Sequence, residues 1–183
     1  MAIDTAGLRI QIYPAEILRQ KSDEIDPTAE VMAVADRMVE LMRGADGIGL
    51  AANQVGLPWR LFVAHVPAME GGADEPGVPF SNAGPEVFVN PVIESSEGDP
   101  EIYEEGCLSL PGINGDVIRP PVVTVSAIGR DGERFTRKIG GLLARCVQHE
   151  LDHLDGVLIL DRMTQMSRTR VRRQVQSLEK NAR

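Results

Sequence analysis

The stretch Ala144-Arg145-Cys146-Val147-Gln148-His149-Glu150-Leu151-Asp152-His153-Leu154 constrains this chain more than any other. Leu142, Leu143, Val147, Leu151 and Leu154 recur at helical spacing, so most of the cylinder is expected to be buried. Two histidines and a carboxylate go with it, and such groups cost several kcal/mol each unless they find partners. The fold must therefore assemble partners around one helix. His149 and His153 stand one turn apart on one face, where both imidazoles can meet a single metal ion. Glu150 is rotated by about 100° from His149. That is a poor place for a ligand and a good one for a general base acting on a water. H-E-x-x-H is the spacing expected of such a site.

A catalytic site of this kind takes a third protein ligand and keeps a fourth position open. In the metzincin pattern a third His follows the second by six residues, but Ile159 stands there. His65 lies in the apolar run Leu61–Val66 and reads as a strand residue. Asp155, Asp161 and Glu179 have no helical partner that recommends them. Two cysteines remain. Cys146 shares the histidine face, yet it is separated from His153 by about 10.5 Å of helix rise, while a thiolate needs its metal at about 2.3 Å. Cys146 therefore reads as a small hydrophobe lining the site, and Cys107 is left as the ligand. It sits in Glu105-Gly-Cys-Leu-Ser-Leu-Pro-Gly112, where a Gly and a Pro-Gly turn allow close backbone approach.

The sequence Gly47-Ile-Gly-Leu-Ala-Ala-Asn-Gln-Val-Gly56, the Cys107 segment and Gln148-His-Glu-Leu-Asp-His-Leu-Asp-Gly156 together resemble the three motifs of peptide deformylase, in order and at similar separations. Arg145, the run Val157–Asp161 and the segment Ile12–Arg19 fit as well, so the likeness covers nearly the whole chain. The resemblance implies a metal-dependent hydrolase that removes the formyl group from the N-terminal formyl-methionine of newly synthesised polypeptides, releasing formate. It implies Fe²⁺ as the ion, and the thiolate makes the site tolerant of Zn²⁺, Co²⁺ or Ni²⁺. It further implies that Gln54 donates its amide to the oxyanion, with the backbone N–H of Leu108 beside it. The backbone of Ile48, Gly49 and Leu50 is expected to pair with the substrate peptide as an added strand. Leu142 and Cys146 would take the methionine side chain, and Glu105 and Arg119 are expected at the site edge. Asn53 departs from the pattern, since many family members have Pro there. That is expected to loosen the turn without removing a reacting group. The competing reading is a zinc endopeptidase on the same helix, with a long cleft. A non-catalytic metal- or peptide-binding homologue would be expected to lack Glu150 or Gln54, and both are present.

The remaining sequence sets the scaffold. A chain of 183 residues with 43% hydrophobic content suits one domain, residues 1–183, with a sizeable core. A net charge of −8 argues against general nucleic-acid binding. No run of eighteen apolar residues and no charged-then-apolar start is present, so no membrane association is expected. Two cysteines make no disulfide framework, and a thiolate ligand suits a reducing cytoplasm. Thr28 to Arg43 reads as a helix capped by Thr28 or Asp26. Residues 58–66, Glu86–Ile93 interrupted at Asn90-Pro91, Val117–Ala127 and Arg134–Ile139 read as short strands, with a hairpin turn at Gly129–Gly132. Residues 67–85 read as an exposed loop. The class is α+β, with the H-E-x-x-H helix packed against antiparallel sheets and a C-terminal helix after it. Residues 162–183 form that helix, with seven basic residues against Glu179 and an apolar face of Val171, Val175 and Leu178. Some bacterial relatives dock a basic C-terminal helix on the ribosome, which makes the ribosome a candidate partner. The simpler reading is a solvated terminal helix.

Overall fold

The computed structural model describes residues 3–68 and 77–182. In chain order the elements are α1 (Ala29–Gly44), β1 (Gly49–Ala51), β2 (Leu61–Ala64), β3 (Glu86–Glu97), β4 (Glu101–Gly106), β5 (Asn114–Arg119), β6 (Val122–Ile128), β7 (Arg134–Gly140), α2 (Gly141–Leu154), α3 (Ile159–Arg162) and α4 (Gln165–Asn181). The first helix starts where the Thr28 side chain accepts the Val31 N–H, which satisfies an otherwise orphaned donor. Its buried stripe is Val31, Val34, Ala35, Met38 and Met42.

Five strands make one antiparallel sheet in the order β1-β2-β3-β6-β7. Period-two alternation sends Leu61, Val63, Val87 and Val89 toward α1, while Phe62 and Phe88 stack on the opposite face toward α2 with ring centroids 4.5 Å apart. Both faces are covered, which is why Leu61–Ala64 is apolar without alternation. On the α2 side Leu143, Val147, Leu151 and Leu154 complete the core. The α+β class with a helix on antiparallel sheets is the architecture observed.

Two expectations need correcting, while the interruption expected at Asn90-Pro91 is a bulge within β3, which runs on to Glu97. Asn90 takes a positive φ of 49°, β3 bulges there, and the Asn90 side chain brackets the N–H and C=O of Ile25 at 3.0 and 2.8 Å. Val117–Ala127 is two strands rather than one, because Pro120-Pro121 cannot donate to a ladder. The β5 strand pairs with β4 in a separate two-stranded sheet, whereas β6 joins the large one. Of the expected loop 67–85, residues 69–76 lie outside the described residues. Its second half is not wholly exposed: Val78 and Asn82 are buried, and Asn82 bonds the Val66 N–H and the Ala64 carbonyl.

The C-terminal helix begins at Gln165, later than expected, where Thr164 caps it by accepting the Ser167 N–H; Arg162 closes the short α3 instead. Val171 is buried against Leu110, Ile113, Val117 and Met163, with Val175 and Leu178 at the margin, so this helix backs the segment that follows Cys107. Arg183 lies outside the described residues. Among the described residues no helix is long and apolar enough to cross a membrane.

Just past the end of α2, Gly156 takes a φ of +73° and packs so closely that a Cβ there would lie 2.5 Å from the Arg19 carbonyl oxygen. Gly156→Ala is expected to cost at least about 1–3 kcal/mol, read as a lowered urea midpoint with unchanged slope.

Candidate active site

Cys107 follows the last residue of β4, and the Cys107 carbonyl accepts the Leu110 N–H at 2.9 Å to start the turn back into β5. This hairpin faces the polar side of α2. One ligand atom from each of Cys107, His149 and His153 falls within 4.8 Å of the others, and Cys107 Sγ lies 3.2 Å from His153 Nε2. His149 Nδ1 lies 3.1 Å from Glu105 Oε2, which leaves Nε2 as the nitrogen available to an ion. One thiolate and two imidazoles suit a divalent ion with a position left open to the cleft. Cys146 is outside this group; its thiol donates to the Ile48 carbonyl at 3.4 Å.

The cleft beside the cluster has a volume of about 580 Å³. Ile48, Gly49 and Gln54 line one wall, Glu105, Cys107 and Leu108 another, and Leu142, Cys146, His149 and Glu150 the helix side. Three predicted residues do not reach it. Leu50 is a core side chain under α1, although its backbone lies in β1, the edge strand of the sheet. His153 belongs to the cluster but is its buried member and does not line the cleft. Arg119 does not sit at the site edge but behind Glu105, fully occupied by two carboxylates.

Those carboxylates form a buried network. Glu105 accepts from Arg119 at 2.7 and 3.0 Å and from Arg145 at 2.9 Å. Burial alone would raise the Glu105 carboxyl, but its bonds with His149 and Arg119 hold it well below the usual carboxylate range. Arg119 continues to Asp152 at 2.7 Å, and Asp152 to Arg162 at 2.7 Å. Arg145 also reaches the Glu101 and Val117 carbonyls and lies over the Tyr103 ring.

Glu150 is buried and its Oε2 has no hydrogen-bond partner among the described residues, so one carboxylate oxygen is uncommitted to the scaffold. Burial pushes it up to about 7, with Glu105 adding and His149 and Arg119 opposing. The Gln54 amide is oriented by its own turn: Oε1 accepts the Ala51 N–H at 2.8 Å, and Nε2 faces Ser109 Oγ at 3.1 Å and Cys107 Sγ at 3.6 Å.

A family model for polypeptide deformylase matches residues 8–169. The chain belongs to the polypeptide deformylase family. It is 45% identical over 161 residues to the peptide deformylase of Agrobacterium fabrum, covering 87% of this chain and 89% of that one. Similarity to the Chlorobium luteolum peptide deformylase is 39% over 172 residues, with 93% and 86% covered. The crystal structure of peptide deformylase from Ehrlichia chaffeensis superposes with a TM-score of 0.86 at 32% identity, over 96% of this chain and 98% of that one. As a deformylase the chain is a hydrolase that removes the N-formyl group from nascent polypeptides, and the endopeptidase reading lapses. The cluster fits the divalent ion of such an enzyme.

Sequence reasoning did not single out Ser109, Asp152 or Arg162, and it read Asn53 only as a departure in the backbone of its turn. Their partners lie 10 to 100 residues away, so no local pattern marks them. At Gly49 a Cβ would lie 2.2 Å from Glu150 Oε1 and 2.8 Å from Cys146 Sγ. Gly49→Ala is therefore expected to displace Glu150 and lower formate release by about 100-fold, with the far-ultraviolet circular dichroism of the parent retained.

Proposed function

We propose that Cys107, His149 and His153 hold one divalent ion, Fe²⁺ in the cell, and that Glu150, Gln54 and Leu108 work the formyl group of a formyl-methionyl peptide against it. The observation that carries this reading is the single cleft that gathers a thiolate, a carboxylate with an uncommitted oxygen and an oriented amide. When bound, the ion makes water nucleophilic near neutral pH and polarises the formyl carbonyl. Glu150 takes the proton from that water as its oxygen bonds to the formyl carbon. Gln54 Nε2 and the Leu108 N–H donate to the oxygen that becomes negative. The C–N bond then breaks, and Glu150 returns the proton to the departing amine, which leaves formate and a free N-terminus.

The methionine side chain fits the apolar wall of Leu142 and Cys146, and Ile48 to Leu50 give the peptide backbone a sheet edge to extend. In this reading residues 1–183 act as one catalytic unit in the cytoplasm, where formylated chains emerge. Thiolate softness leaves Zn²⁺, Co²⁺ and Ni²⁺ as ions the site also accepts.

The test is formate release from a formyl-Met tripeptide by protein prepared without oxygen and loaded with Fe²⁺. Glu150→Ala is expected to lower the rate by about 10²–10⁴-fold, and an unformylated peptide to remain intact. Release at the parent rate by the variant would remove Glu150 from the mechanism.

The C-terminal helix supports a second partner. Its apolar face is spent on the fold, while Arg168, Arg172 and Arg173 point to solvent and have no acidic partner among the described residues. We infer that this face meets the ribosome, whose phosphates attract such a stripe. Replacing all three with Glu is expected to abolish cosedimentation with ribosomes while formate release from the free tripeptide is unchanged. Cosedimentation equal to the parent's would end the idea.

A further inference from the structure

The turn Ala52–Val55 holds two consecutive amides that face opposite ways. Gln54 is turned toward Cys107, as described above. Asn53, fully buried, is turned toward the end of α2, where its Nδ2 donates to the main-chain carbonyl of His153. The expected loosening of this turn is not what the structure shows: Asn53 ties it to a ligand residue 100 positions away. The contact is incomplete in an informative manner. Asn53 Oδ1 is buried with no hydrogen-bond partner, and so is His153 Nδ1. One is an acceptor; the other becomes a donor in the tautomer a metal requires. His153 Nε2 is the nitrogen beside Cys107 Sγ. An ion bound there takes the Nε2 lone pair, so the ring proton must sit on Nδ1.

We propose that Asn53 is a positioning residue for His153, its carboxamide holding the main-chain carbonyl through Nδ2 and, when an ion occupies Nε2, the ring Nδ1–H through Oδ1. With Gln54 facing Cys107, one turn then sets the relation between two ligands contributed by different elements. A proline at position 53, as many family members have, carries no carboxamide and could not act in this way. It rests on His153 being a ligand.

The experiment uses Co²⁺ as the probe, reading both its affinity by chelator competition and the visible absorption of the loaded protein. Asn53→Leu keeps the branched shape and the number of side-chain heavy atoms and removes both arms. It is expected to weaken Co²⁺ retention by about 10–100-fold and to shift the cobalt bands, and Asn53→Ala should do the same. Val34→Ala, in the core under α1 and away from the site, is expected to lower the thermal midpoint while keeping the parent's affinity and spectrum. Parent-like Co²⁺ binding in either folded Asn53 variant overturns the proposal, as does an equal loss of metal in Val34→Ala. Ring-nitrogen NMR of the Zn²⁺-loaded parent needs no variant: a proton on His153 Nδ1 is expected, and a proton on Nε2 overturns the assignment. His153→Ala separates the two levels of inference. If it binds Co²⁺ like the parent, the ligand set is wrong; if it does not and the Asn53 variants bind normally, only the positioning role fails.

Discussion

The charge on Glu105 is the interaction on which the site depends. A carboxylate only 6% exposed would be neutral or costly by itself, and two guanidiniums, Arg119 and Arg145, keep it ionised. An ionised Glu105 can accept the His149 Nδ1 proton, which turns the Nε2 lone pair outward. The same anion ties the β4–β5 hairpin to α2. Apolar packing could not have done so at this interface without filling the cleft. Through Arg119 and Asp152 the network runs on to Arg162 at the end of α3, so the ligand helix is braced along its polar side as firmly as along its apolar one.

Burial on both faces of the large sheet explains where the cleft lies. With α1 on one face of the β1–β2–β3 region and α2 on the other, the polar stripe of α2 looks toward a second structural unit. The two-stranded sheet supplies it, backed by α4 through Leu110, Ile113 and Val171. Close approach at Gly49 then lets the edge strand of the large sheet complete the third side.

The helical period over 142–154, the H-E-x-x-H spacing and the geometric exclusion of Cys146 were legible because they are local: each is a relation between residues within a few turns of one element. Resemblance over three motifs carried the substrate, which the spacing by itself could not, since an endopeptidase uses the same helix. The break at Pro120-Pro121 was written in the sequence but read as part of one strand. Arg119 was placed at the edge on the resemblance, and its partner Asp152, 33 residues away, leaves no local pattern to correct that. Asn53 was read only for its effect on the backbone, while its role lies in a side-chain bond across 100 positions.

The three candidate ligands come from the turn after β4 and from α2, with Cys107 and His153 46 positions apart, so an ion shared among them is also a cross-link. Any ligand that binds only the folded state adds stability by mass action, about 4 kcal/mol when present at a thousand times its dissociation constant. With an ion held by these three residues, folding and metal supply would be linked. A cell short of the ion would hold a larger share of opened molecules, exposed to its proteases, as well as fewer active ones.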